Sequence, residues 1–226
     1  VPGPTLRLDL DLEDALGRRL EPDAVIVQED RNLVVSAPPL LDLDRENELD
    51  AAYLAIVRHR PLPLGRYLLM RPREGRPYWT YQAVVHDLEV RPSCRPGDVR
   101  RSLLAIAADA SWRGFSVLAM EPLGVWRSHG LSWEEHVEAV DTAMLELALQ
   151  LERPLRLVLL LPGLEEIEEV SLMLRSLVLR KATRSLRTAD GDAAVVEVRR
   201  EDVSLHYRFV PGSLSGYLVS RVDRVA

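Results

Sequence analysis

Leu6, Leu8 and Leu10 alternate with Arg7, Asp9 and Asp11, the period of two that a strand with one buried face imposes. Residues 12–20 form a short connection with some helical character. Two β-branched runs follow, 24–28 and 32–36, separated by Glu29-Asp30-Arg31, and they predict a hairpin or two neighbouring strands. The run at 32–36 leaves the better-spaced gap before the next helix and is the one expected at the centre of the sheet. Pro38-Pro39 ends it, because proline cannot donate to a strand ladder. Residues 46–59 predict a helix with Leu49, Ala52, Tyr53, Ile56 and Val57 on one face, closed by Pro61. Strands at 65–70 and 79–87 bracket the turn Arg73-Glu74-Gly75-Arg76. A helix starting near Asp98 carries Leu103, Leu104, Ile106 and Ala107 to about Trp112, where Gly114 stops it.

Residues 115–120 are a short, continuous apolar run, as expected of a parallel strand buried on both faces. Ser132 with Glu135 makes a capping box for a helix reaching about Leu151. Residues 155–161 are the most hydrophobic strand, and 164–177 give one more helix. Strands and helices thus alternate from Trp79 onward, which predicts an α/β protein with βαβ crossovers and a sheet covered on both faces. After Arg184 the pattern changes to alternating runs at 193–199, 204–210 and 217–222, an antiparallel meander. The expected organisation is a main domain over 1–184, with 1–22 as an N-terminal strand extension, and a β extension over 185–226 packed on the same domain.

The chain has 226 residues, 47% of them hydrophobic, enough for a packed core. Its formal net charge of -6 argues against a nucleic-acid binder that relies on bulk positive charge. The basic cluster of Arg180, Lys181, Arg184 and Arg187 reads as a solvated face. Cys94 is the sole cysteine, so no internal disulfide forms, and a reducing, cytoplasmic setting is the expectation. No apolar run reaches the roughly 18–20 residues of a membrane span, and Arg7 and Asp9 interrupt any signal-peptide core. Neither a P-loop nor Gly-x-Gly-x-x-Gly is present, so no cofactor is expected.

Several segments, in order, resemble a macro domain. Leu33-Val34-Val35-Ser36-Ala37-Pro38-Pro39 is similar to its strand ending in an Asn-Ala-Ala-Asn-like turn, and Leu49-Asp50-Ala51-Ala52 to its helix opening. Pro63-Leu64-Gly65-Arg66-Tyr67 resembles the segment that begins the next strand, and Val84-Val85-His86 the Val-Ile-His of the one after. Glu121-Pro122-Leu123-Gly124-Val125-Trp126 resembles the second ligand loop. The resemblance covers about residues 24–177. It implies a three-layer mixed sheet flanked by helices and a ligand of the ADP-ribose type. Gly124, Val125 and Trp126 would border the distal ribose and diphosphate, where backbone N–H groups attract phosphate oxygens. Ser36 and Pro39 would lie at the ribose, Asp30 at the adenine amino group, and Asp50 at the water that some family hydrolases activate.

The departures from the family pattern point to weakened chemistry. Ser36 and Pro39 stand where the family has asparagine, and proline offers no donor to a ribose hydroxyl. The glycine-rich diphosphate loop is replaced by Asp42-Leu43-Asp44-Arg45-Glu46-Asn47-Glu48. Its four carboxylates repel a diphosphate, at a cost on the order of 1–4 kcal/mol per close pair. The leading expectation is therefore weak binding of ADP-ribose or a related nucleotide or anionic ligand, without robust catalysis. The alternative is an interaction protein with vestigial ligand loops, dimerising or binding a partner through its C-terminal strands. Third is an ADP-ribosyl or ester hydrolase using Asp50 and His86. His129, Glu134, Glu135 and His136 lack a metal-ligand spacing and read as a solvated helix start. Cys94, next to Arg95, reads as a turn residue rather than a nucleophile. Trp112 and Trp133 read as packing residues.

Overall fold

Leu6, Leu8 and Leu10 are all buried, at 3% exposure or less, and each fully buried leucine contributes about 1.5–3 kcal/mol. They belong to β1 (Thr5–Leu12), which sits inside a ten-stranded sheet. The other strands are β2 (Ala24–Asp30), β3 (Arg66–Met70), β4 (Trp79–His86), β5 (Val117–Met120), β6 (Leu155–Leu161), β7 (Arg184–Arg187), β8 (Ala194–Arg200), β9 (Val203–Phe209) and β10 (Tyr217–Asp223). The computed structural model describes residues 5–35, 58, 60–72, 77–125, 129–182, 184–187, 194–200, 203–209 and 217–223.

Strand order is β3-β4-β2-β5-β6-β1-β10-β9-β8-β7. The centre, β4-β2-β5-β6-β1, is parallel. β3 joins one side antiparallel. On the other side β10, β9, β8 and β7 continue the same sheet as an antiparallel meander, so the C-terminal strands extend the main sheet rather than form a separate layer.

Three helices follow the crossovers: α1 (Pro96–Arg113), α2 (Trp133–Gln150) and α3 (Leu164–Lys181). The connections β4–α1–β5 and β5–α2–β6 step in the same direction across the sheet. The right-handed rule therefore puts both helices on one face. Their buried faces, with that of α3, share a single core with Ile26, Tyr81, Leu118, Met120, Leu157 and Leu159. The opposite face carries a smaller cluster, in which Ala15 and Leu20 cover Ala119, Val158 and Leu160. Ala15 closes a 3-10 turn, Glu13–Ala15.

Local signals explain the helix ends. Gly114 caps α1 with φ 80°, its N–H reaching back to Ala110 and Ser111, a conformation that glycine adopts without strain. Ser132 and Glu135 form the expected capping box on α2. Midway along α2, buried Asp141 accepts from Lys181 at 2.5 Å and from Tyr217 Oη at 2.8 Å. One carboxylate thereby ties α2, α3 and β10 together.

Some expectations are corrected. The central strand is Ala24–Asp30, paired with β4 and β5, while residues 31–35 form a turn and a bend. The physical reason lies in the side chains: Leu33 adopts φ 62°, Val34 is 58% exposed, and the carboxylates of Glu29 and Asp30 bind the backbone N–H groups of that segment. Trp112 is not a packing residue. It is 79% exposed and stacks under the Arg113 guanidinium at 5.5 Å. His136 is fully buried rather than solvated. The helix expected over 46–59, except Arg58 and the surroundings of its end, lies outside the described residues, as does the turn at 73–76.

Candidate functional site

The parallel strands end together, so the residues that terminate them meet along one crest. β2 delivers Gln28, Glu29 and Asp30 there, β4 delivers His86, and the loop after β5 delivers Glu121–Val125. Gln28 is the junction. Its side-chain oxygen lies 2.8 Å from His86 Nε2 and accepts the Gly124 N–H at 3.1 Å. Its own backbone N–H donates to the Glu121 carboxylate.

Each neighbour is held from behind. His86 Nδ1 lies 3.1 Å from Ser93 Oγ, and that hydroxyl donates to the His129 carbonyl at 2.8 Å. Burial pushes the His86 pKa down to about 4, against a smaller opposing pull from Asp30. The ring is therefore neutral at pH 7. With Nε2–H directed at Gln28, its other nitrogen faces Ser93. Gly124 has φ 80°, and a Cβ there would meet Cys94 Sγ at 2.7 Å, Leu131 Cδ1 at 3.0 Å and Val99 Cγ2 at 3.1 Å. Glycine is required on both counts. The Gly124 carbonyl accepts the Leu131 N–H at 2.8 Å, so both ends of the loop are anchored.

The carboxylates serve the scaffold. Glu29 accepts the N–H groups of Asp30 and Val35, both at 2.9 Å. Asp30 accepts that of Asn32 at 2.9 Å and that of Val34. Asp87, next to His86, takes Arg31 Nη1 at 2.8 Å, and this hydrogen bond holds its carboxyl below the usual range. Glu121 is pushed upward, chiefly by burial, with Glu13 and Glu29 adding repulsion.

Beside the crest, on the β2 face that turns away from α1 and α2, lies a cleft of about 550 Å3. Val25, Val27 and Leu16 give it apolar walls, Tyr78 and Thr80 one polar end, and Gln28 and Glu121 the other. A site of this size suits a small organic molecule.

Of the residues singled out from sequence, His86 and Gly124 are joined through Gln28, Asp30 sits against them as a turn cap, and Val125 is half-buried in the same loop. Ser36, Pro39, Asp50 and Trp126 lie outside the described residues. Cys94 is no nucleophile: burial, and then Asp98, push its thiol up to about 12. Among the described residues no cluster of three or more histidine, cysteine, aspartate or glutamate side chains is placed to hold a metal. The sequence pattern does not single out Gln28 and Glu29, because it puts the end of the central strand at residue 36, six residues beyond Asp30. Once residues 24–30 are taken as the strand, Gln28-Glu29-Asp30 falls at its tip.

This crest and sheet define the class of protein: the chain has the macrodomain fold. It is similar to the Oceanobacillus iheyensis macrodomain, with a TM-score of 0.57 at 10% identity for a variant solved with ADPR, covering 79% of this chain and 96% of that one. The same macrodomain with ADP gives a TM-score of 0.54 at 10% identity, covering 78% and 97%. The macro domain of ganglioside induced differentiation associated protein 2 gives 0.51 at 13% identity, covering 76% and 82%. No protein-family model matches the sequence, and no curated protein does.

Proposed function

We propose that this chain binds ADP-ribose or a related nucleotide-like ligand weakly at the crest and its adjoining cleft, without robust hydrolysis. The observation that carries the reading is the Gln28 junction, which holds Gly124 and Val125 over the strand ends next to a cleft of about 550 Å3. The structurally similar Oceanobacillus iheyensis macrodomain is described with ADPR and with ADP. Weakness follows from charge. Glu121 faces the cleft with Glu13 and Glu29 near it, and a carboxylate about 4 Å from a phosphate costs on the order of 1–4 kcal/mol. Poor hydrolysis follows from His86, whose ring nitrogens face Ser93 and Gln28 rather than a ligand, so it is ill placed as a general base. Calorimetric titration with ADP-ribose tests the binding: absence of heat and of any thermal shift at millimolar ligand removes it. Turnover of an ADP-ribosylated substrate that disappears in Asp50→Ala removes the non-hydrolytic part.

A second reading, an interaction protein with vestigial ligand loops, is favoured by the way Glu29 and Asp30 bind their own turn. β8, β9 and β10 are paired on both sides, so among the described residues of the C-terminal strands only β7 leaves an edge for a partner. A full-length chain that stays monomeric in light scattering and captures no partner would count against it.

A further inference from the structure

Helix α3 carries leucine on two sides. Ile167, Val170, Leu174, Leu177 and Val178 face the core. On the far side Leu164, Leu172 and Leu179 are 57%, 67% and 51% exposed, and at roughly 100° per residue they fall within an arc of about 80°. Glu168 and Arg175 fall in the same arc, so the face reads Leu-Glu-Leu-Arg-Leu, and exposed leucines recurring every two turns mark a surface that is covered. The same helix is polarised in charge. Glu165, Glu166, Glu168 and Glu169 occupy its first half, and Arg175, Arg180 and Lys181 its second. Beside the stripe, a groove of about 450 Å3 between α2 and α3 is lined by Glu134, Glu138, Met173, Ser176 and Arg180 along with Leu172.

We propose that α3 docks against α3 of a second copy of this chain, antiparallel, across a two-fold axis at Leu172. The pattern selects this occupant because it is complementary to itself. With Leu172 on the axis, Leu172 meets its symmetry mate, and Leu164 lies beside Leu179 of the other helix. Glu168 then comes beside Arg175 of the other helix, on the same flank of the seam, and the acidic first half of each helix runs along the basic second half of the other. A parallel pair would set like charges together, so the antiparallel arrangement is favoured on electrostatic grounds. An isologous contact of this kind closes on itself and gives a dimer, not a filament. The docking is independent of any ligand at the crest.

Sedimentation equilibrium of the full chain from 1 to 100 µM, with circular dichroism melts as a folding control, tests the proposal. The wild type is expected to dimerise. Leu172→Glu, at an exposed position, is expected to melt like the wild type and to weaken dimerisation on the order of 100-fold, as at an interface centre. Glu168→Arg weakens the dimer, and combining it with Arg175→Glu restores it. Because Cys94 is buried, Leu172→Cys supplies a single accessible thiol, and mild oxidation is expected to cross-link the dimer faster than it does Trp112→Cys. A monomeric wild type at 100 µM overturns the proposal. So does a dimer that survives Leu172→Glu, which would place the interface elsewhere, for example at the β7 edge.

Discussion

The side-chain oxygen of Gln28 and the ring of His86 meet at 2.8 Å across two adjacent parallel strands, and the same oxygen takes the Gly124 N–H. A single acceptor therefore sets the tautomer of a buried histidine and the position of the β5–α2 loop. Gln28→Met keeps the volume but strands both donors. An unsatisfied buried donor costs about 1–3 kcal/mol, so the variant is expected to lose roughly 2–4 kcal/mol in urea unfolding. Amide exchange at Gly124 and Leu131 should accelerate beyond what the global loss explains. Unchanged exchange at those two amides would sink the junction argument.

Gly124→Ala faces two separate penalties, the left-handed backbone and a contact with Cys94 Sγ at 2.7 Å. A loss of about 2–4 kcal/mol is expected, above the roughly 1 kcal/mol of backbone strain alone. Adding Cys94→Ala should recover part of it. Strictly additive effects in that double-mutant cycle would show that the sulfur is not the obstacle.

Acid should destabilise this protein well above the usual carboxylate range. His86 and His136 both have pKa values near 4 in the fold, lowered by burial from 6.5. Between pH 6.5 and 4 the unfolded chain binds protons that the native state does not, so stability falls as pH falls through that window. Each histidine contributes on the order of 3 kcal/mol at most. Glu121, raised by burial, opposes the trend where it takes up its proton first. Asp87 and Asp109, both lowered, add their own loss only at more acid pH. Urea midpoints from pH 7 to 4 measure the slope, and replacing His136 by Asn should reduce the proton uptake on unfolding by about one.

Cys94 is expected to resist thiol reagents at pH 8 in the native state, since its thiol is buried and its pKa is pushed up to about 12. Labelling should track global unfolding as denaturant rises. Rapid native labelling would contradict its burial.

Removing Asp141 should detach the C-terminal meander. Asp141→Ala leaves the half-buried Lys181 ammonium and the Tyr217 hydroxyl without their acceptor, and losing a hydrogen bond to a charged group together with a neutral one costs about 2–4 kcal/mol. Tyr217→Phe removes one neutral partner and should cost closer to 1 kcal/mol. Limited proteolysis would show cleavage after residue 182 preceding that of the parallel core.

What the sequence determined by itself was whatever depends on short-range pattern. The alternation of Leu6, Leu8 and Leu10, the Ser132–Glu135 box, the stop at Gly114 and the apolar run at 155–161 each carry their own physics within a few residues. The order of those elements sufficed for an α/β sheet, and its macrodomain type followed from the resemblance of segments within residues 24–177. Tertiary structure decided what depends on distant partners. Of the two runs at 24–28 and 32–36, the first became the central strand because β4 and β5 pair with it on both sides. The other was bent into a turn by the Glu29 and Asp30 carboxylates. Gln28 gained its role only because residues 58 and 96 positions further along the chain meet its side-chain oxygen. Hydrophobic pattern fixes which face of an element is buried, but the choice of neighbour is a balance of long-range pairings that no local window contains.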